Sequence, residues 1–147
     1  MYEKILVPLD GSKRAEMIRP HVRELANRFQ ATVILIMVVE YSYADGIGQT
    51  YVSISEKAFK AQLKENELYL DGIASKFRDK GIACKTLMVL TPVVEKIIEA
   101  ANTEDVDLIA MTSHGRGGAC PHLLRQCCRR NFKPGRSPAF YRSVTVG

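Results

Sequence analysis

Two short segments of this chain carry residue types able to hold an anionic ligand. Asp10-Gly11-Ser12 closes the apolar run Tyr2–Leu9, and Ser113-His114-Gly115-Arg116-Gly117-Gly118 follows the apolar run Asp107–Thr112. Glycines tolerate positive φ and let backbone N–H groups approach an anion, and a helix that follows adds the positive end of its dipole. The same cluster also reads as a tight turn, and a short glycine pattern alone does not separate the two. The Asp10 carboxylate suits a ligand amine or hydroxyl, although an aspartate at a strand end more often makes an Asx turn or caps a helix. His114 offers a base or a phosphate donor, or a hydrogen-bonding residue at a strand end. Val38 and Val39 offer an apolar wall to a planar ring, or core packing.

The elements that must position these segments alternate. Tyr2–Leu9 reads as a strand. Ser12 is placed to cap a helix whose Ala15, Ile18, Val22, Leu25, Ala26 and Phe29 recur every three or four residues, with a kink expected at Pro20. Thr32–Val39 (TVILIMVV) is nearly all apolar and β-branched, the mark of a strand covered on both faces. Tyr41–Ser53, with two glycines and three tyrosines, reads as a surface loop. Ser55–Lys80 reads as a long helix with Ala58, Leu63, Leu70, Ile73, Ala74 and Phe77 inward, ended by Gly81. Ile82–Val89 is a third strand, Thr91-Pro92 opens a helix with Val93, Val94, Ile97, Ile98 and Ala101 buried, and Asp107–Thr112 is a fourth strand. This β-α-β-α-β-α-β order implies an α/β fold: a Rossmann-like open α/β sandwich on a parallel sheet. Ligands bind such sheets beyond the carboxyl ends of the strands, where strand order reverses.

Composition narrows the function classes. The 147 residues, 46% hydrophobic and 25% charged, suit one soluble domain and exclude a disordered or collagen-like chain. No apolar run reaches the ~20 residues of a membrane span. Met1 leads at once into Glu3 and Lys4, unlike a secretory leader, so a cytoplasmic protein is expected. The net charge of +5 is not evenly spread. Residues 1–118 hold 15 Lys/Arg against 16 Asp/Glu, whereas 119–147 hold six Lys/Arg, no acid, and three of the four cysteines. We therefore divide the chain into an α/β domain over 1–118 and an atypical basic, cysteine-rich segment of the same domain over 119–147. Cys127 and Cys128 are adjacent, which favours free thiols. Cys120, His122, Cys127, Cys128 and His114 match no paired-ligand zinc spacing, so no metal site is expected. Asp105/Asp107 and Glu65/Glu67 read as solvated carboxylates.

Taken together, KILVPLDGS (4–12), VILIMVVE (33–40) and DLIAMTSHGRGG (107–118) resemble the universal stress protein family over about the first 118 residues. The resemblance implies a five-stranded parallel sheet that holds ATP, with a G-x2-G-x9-G-[ST] phosphate loop. It implies that Asp10, approached through Pro8 and Leu9, meets the adenine or ribose and that Val39 flanks the adenine. It implies that Gly115 and Gly118, among Ser113, His114 and Arg116, supply the first part of the phosphate loop, with Mg²⁺ as a possible companion of ATP. It also implies a homodimer formed through the fifth strand.

The chain departs from the family pattern after Gly118. Cys128 and Arg129 stand where the pattern has Gly and Ser/Thr, and the closing V-P-V-x-x-V strand is replaced. A degraded or absent fifth strand is the expectation, leaving the fourth strand an open, aggregation-prone edge. Each charge-assisted hydrogen bond lost to phosphate is worth about 1.5–3 kcal/mol, so losing two weakens ATP binding by about a hundredfold or more. The function expected is a stress-response or regulatory module of the adenine-nucleotide-binding class with weakened binding and at most slow ATP hydrolysis. The alternatives are an ATP hydrolase or phosphotransferase using Asp10 and His114, and, least favoured, a nucleic-acid or partner-binding protein using the basic tail, whose binding would depend steeply on salt.

Our hypothesis for the tail is a shifted reading frame. Read one nucleotide later, codons available to Arg125–Ser137 can spell Gly-Ser-Val-Ala-Glu-Glu-Ile-Leu-Ser-Arg-Ala-Gly-Val, a good match to the missing family segment. Sequencing the coding DNA checks this: the codons present are expected to spell that peptide, and codons that cannot do so refute the idea.

Overall fold

A strand with no polar alternation is stable only if both of its faces are covered. The computed structural model describes residues 2–11, 13–39, 49–90, 93–112 and 139–143, and it meets that condition at the centre of one sheet. The elements in chain order are β1 (Lys4–Leu9), α1 (Lys13–Glu16), α2 (Arg19–Phe29), β2 (Thr32–Val39), α3 (Gln49–Asp79), β3 (Cys84–Leu90), α4 (Val93–Thr103), β4 (Leu108–Thr112) and β5 (Ala139–Ser143). The strands are ordered β3-β2-β1-β4-β5, and every pairing is parallel. The α/β reading of the sequence is borne out.

Alternate residues of β1 and β2 enter two separate cores. Ile5, Val7, Val33 and Leu35 pack with Ile18 and Val22 of the α1–α2 segment and with Leu70 and Phe77 of α3. Leu6, Ile34, Ile36 and Ile109 face the other way, against Val94, Ile97 and Ile98 of α4. Each fully buried aliphatic side chain here contributes about 1.5–3 kcal/mol of transfer free energy, so β1 and β2 are anchored from both sides.

The helix ends explain how short connections return the chain to the sheet. Gly81 adopts φ +79° after α3, its N–H donates to the Arg78 carbonyl at 2.9 Å, and the Ile82 N–H donates to the Phe77 carbonyl at 3.1 Å. This paired closure places Ile82 against Phe77 in the first core. Gln30 and Asp105 adopt the same left-handed conformation after α2 and α4 (φ 53° for both), with Ala31→Ala26 and Val106→Ala101 backbone bonds of 3.0 and 2.9 Å.

Five details depart from the sequence reading. The helix expected to run through Pro20 with a kink is broken: α1 stops at Glu16 and α2 starts at Arg19. Proline has no N–H to give the Glu16 carbonyl four residues back, and its ring collides with that carbonyl. The long helix begins at Gln49, so residues 49–53 of the expected loop are helical, while 41–48 lie outside the described residues. Ala58 is exposed, and among the described side chains of α3 the buried ones fall in its last third. β5 is present and pairs along all five positions of β4 (Leu108↔Ala139 to Thr112↔Ser143), so β4 is not the open edge expected. Ladder bonds come from the main chain, and the Phe140-Tyr141 pair suits a strand. Finally, Asp107 is no solvated carboxylate. The Glu3 and Lys4 N–H groups donate to its Oδ2 at 2.9 and 3.0 Å, and its own N–H donates to the Lys4 carbonyl at 3.0 Å.

The cap at Ser12 and the residues Thr91-Pro92 lie outside the described residues. Among the described residues no helix is long and apolar enough to cross a membrane. Asp107→Ala is expected to destabilise the fold by about 1–3 kcal/mol, read as a lower urea midpoint, because two strand N–H groups lose a charged acceptor. Asp107→Asn, which keeps an acceptor, is expected to lose less.

Candidate functional site

The chain runs from β1 outward through β2 to β3, then crosses back to lay β4 on the opposite side of β1. The reversal of strand order therefore falls between β1 and β4, and the crevice such a reversal opens lies at their carboxyl ends. The register Ile5↔Leu108 and Leu6↔Ile109 brings Leu9 and Thr112, the last residues of the two strands, to the same rim.

At that rim β1 delivers Pro8, Leu9 and Asp10. Leu9 is buried in the first core, whereas Pro8 and Asp10 are half-buried. Gly11 follows with φ +83° and open space where a Cβ would stand, so backbone conformation rather than crowding calls for glycine here. Val39 ends β2 on the neighbouring side. Because Leu9 pairs with Met37, Val39 lies two residues further toward the same rim, and at 2% exposure it is a core-facing wall. The structure thus brings Pro8, Leu9, Asp10 and Val39 together. Ser113, His114, Gly115, Arg116 and Gly118 lie outside the described residues, as do Cys120, His122, Cys127 and Cys128. Among the described residues no group of three His, Cys, Asp or Glu is arranged to hold a metal ion.

Two residues that sequence reasoning passed over stand behind Asp10. The Tyr69 hydroxyl on α3 donates to the Glu16 carboxylate on α1. Burial is the largest cause pushing the Tyr69 phenol well above the usual tyrosine range. The hydrogen bond to Glu16 and its charge add to this, Arg19 opposes it, and the Asp10 carboxylate adds to it. Periodicity marks Leu70 as the buried position, and no local signal announces that its neighbour Tyr69 reaches an acid 53 positions back along the chain.

Cys84 stands apart from this rim, at the amino end of β3. Burial pushes its thiol up to about 11, with Arg78 opposing. The Arg78 guanidinium spends its donors on the Cys84 carbonyl, at 3.3 Å from Nε and 2.9 Å from Nη2. A thiol held neutral in this way is a packing group rather than a nucleophile.

Both raised groups make the fold lose stability at high pH, each over its own interval. An unfolded chain releases the Cys84 proton near pH 9.0, whereas the folded chain holds it to about 11. The Cys84 contribution is therefore complete below about pH 9 and is lost as pH rises toward 11, whereas that of Tyr69 is complete below its ordinary value of 10.0 and is lost only above it. Thermal melts across the Cys84 interval are expected to show falling stability for the parent chain and a shallower fall for Cys84→Ala.

Residues 1–126 match the model of the Universal stress protein family. Universal stress protein MJ0577 of Methanocaldococcus jannaschii is 29% identical over 152 aligned residues, covering 94% of this chain and 93% of that protein. The solved structure of MJ0577 superposes with a TM-score of 0.81 at 22% identity, covering 100% of this chain and 99% of that one. A universal stress protein in complex with cAMP (TM-score 0.63, 14% identity, 99% and 98% covered) shares the fold. So does the universal stress protein from Archaeoglobus fulgidus in complex with dAMP (TM-score 0.62, 14% identity, 96% and 97% covered).

Proposed function

Because this chain belongs to the universal stress protein family, we propose that it is an adenine-nucleotide-binding module of stress physiology, with ATP as its ligand and the β1–β4 rim as its site. The observation that carries this reading is the placement of the Asp10-Gly11 turn at the strand-order reversal, level with the end of β4. The cAMP and dAMP complexes of two proteins of the same fold support an adenine nucleotide as the ligand class.

In this reading Asp10 accepts hydrogen bonds from the ribose hydroxyls or the adenine amine, and Val39 backs the ring. The amides of Gly115 and Gly118, with Ser113, His114 and Arg116 as donors, face the phosphates, where Mg²⁺ screens their charge. Cys128 and Arg129 stand in place of the glycine and hydroxyl residue of the family loop, so the close backbone approach and the hydroxyl at the terminal phosphates are lost and binding weakens. ATP then acts as a regulatory or slowly hydrolysed ligand. The outer edge of β5 is the place where a second copy would pair to form a homodimer, and the compartment is the cytoplasm.

Calorimetric titration with ATP and Mg²⁺ tests the reading. The dissociation constant is expected to fall well above the micromolar range and to weaken about tenfold or more in Asp10→Ala, the loss of one or two charged hydrogen bonds. A chain carrying the shifted-frame ending is expected to bind about a hundredfold more tightly. A sub-micromolar constant for the present chain contradicts the weakened loop. No binding by either version contradicts the nucleotide reading itself.

A further inference from the structure

α1 is a helix of four residues, too short to hold its shape by its own hydrogen bonds. Pro20 also denies it continuity with α2, because the proline nitrogen cannot bond the Glu16 carbonyl. Its pose is therefore set by what it touches. Ala15 and Ile18 sink into the first core, and α1 contacts both β1 and β4, the two strands that flank the strand-order reversal. Its polar tie is the Tyr69 hydroxyl, donated from α3 to the Glu16 carboxylate. The chain between the end of β1 and this tie is short: Asp10, Gly11 with φ +83°, residue 12, and the single turn of α1. That turn is gripped at one end by a strand buried on both faces and at the other by the tyrosine.

We propose that Tyr69 and Glu16 form a positioning pair that holds the Asp10-Gly11 turn in its binding pose. The inference rests on the nucleotide reading above and deepens it by naming residues that act through Asp10 without touching the ligand. Tyr69 suits the task chemically. Its burial and its acidic neighbours keep the phenol protonated far above neutral pH, so it remains a donor wherever the protein is folded. Half-buried against the first core, it is also fixed by packing rather than by the hydrogen bond alone.

Tyr69→Phe removes one oxygen and leaves the ring in place. Two readouts are taken on the full chain below its unfolding transition: the ATP dissociation constant, and the backbone amide chemical shifts of Asp10 and Gly11 without nucleotide. The pair predicts that Tyr69→Phe weakens ATP binding at least threefold and moves both amide resonances. Glu16→Ala is expected to do the same, and Glu16→Gln, which keeps an acceptor for the phenol, to restore most of both. A merely structural contact would lower the unfolding temperature and leave affinity and amide shifts at their parent values. That outcome, with the parent chain binding ATP, overturns the positioning pair and spares the nucleotide reading. Failure of both the parent chain and the version with the shifted-frame ending to bind ATP overturns both.

Discussion

The parallel contact between β1 and β4 is the constraint on which the rest of this structure depends. It joins two strands more than 100 residues apart in sequence, and it reverses the direction in which the sheet grows. Asp107 ties its amino end. One carboxylate oxygen takes two N–H groups from the start of β1, while the neighbouring Lys4 ammonium donates to the Glu104 carbonyl at 2.7 Å. These bonds align the strands at the end away from the candidate site. Because parallel strands advance at nearly the same rise per residue, alignment at one end fixes the relative height of Leu9 and Thr112 at the other. A charge at the bottom of the sheet in this way sets the geometry at the top.

Burial then divides the work between the two faces. The α4 face is a compact aliphatic layer. The opposite face carries α1, α2 and α3 and is where polar groups come close to the core, as in the Tyr69–Glu16 contact. β5 extends the sheet on the far side of β4 although residues 119–147 carry six Lys/Arg and no Asp/Glu. Main-chain hydrogen bonding asks little of sequence, and a strand can persist where side-chain chemistry has changed.

The parts of the fold legible in the sequence were those governed by one-dimensional pattern. Thr32–Val39 announced a doubly covered strand because no residue in it is charged. Gly81 announced a helix end because a left-handed residue is needed there, and the Asp10 turn was visible as the boundary of an apolar run. What stayed hidden depends on partners distant in the chain. Asp107 looks like any loop aspartate until the Glu3 and Lys4 N–H groups are placed above it. Tyr69 and Glu16 belong to different helices and share no spacing rule. Pro20 reads as a kink because the apolar periodicity continues through it. That periodicity reports which side faces the core and is silent on whether the hydrogen-bond ladder survives. The start of α3 at Gln49 was obscured by tyrosines and glycines that resemble loop composition.

α3 has 31 residues and so spans about 46 Å, far more than the strands it lies beside. Among its described side chains the buried ones, Leu70, Ile73, Ala74 and Phe77, fall near its carboxyl end, while positions 57–68 are mostly exposed. The turns over 57–68 gain little from apolar burial and are held mainly by their own backbone ladder. Unwinding of the turns over 57–68 toward the carboxyl end of α3 reaches Tyr69 before it reaches the buried residues. The helix has a built-in direction of failure, and the last polar contact on that route is the one that steadies the opening turn of the fold.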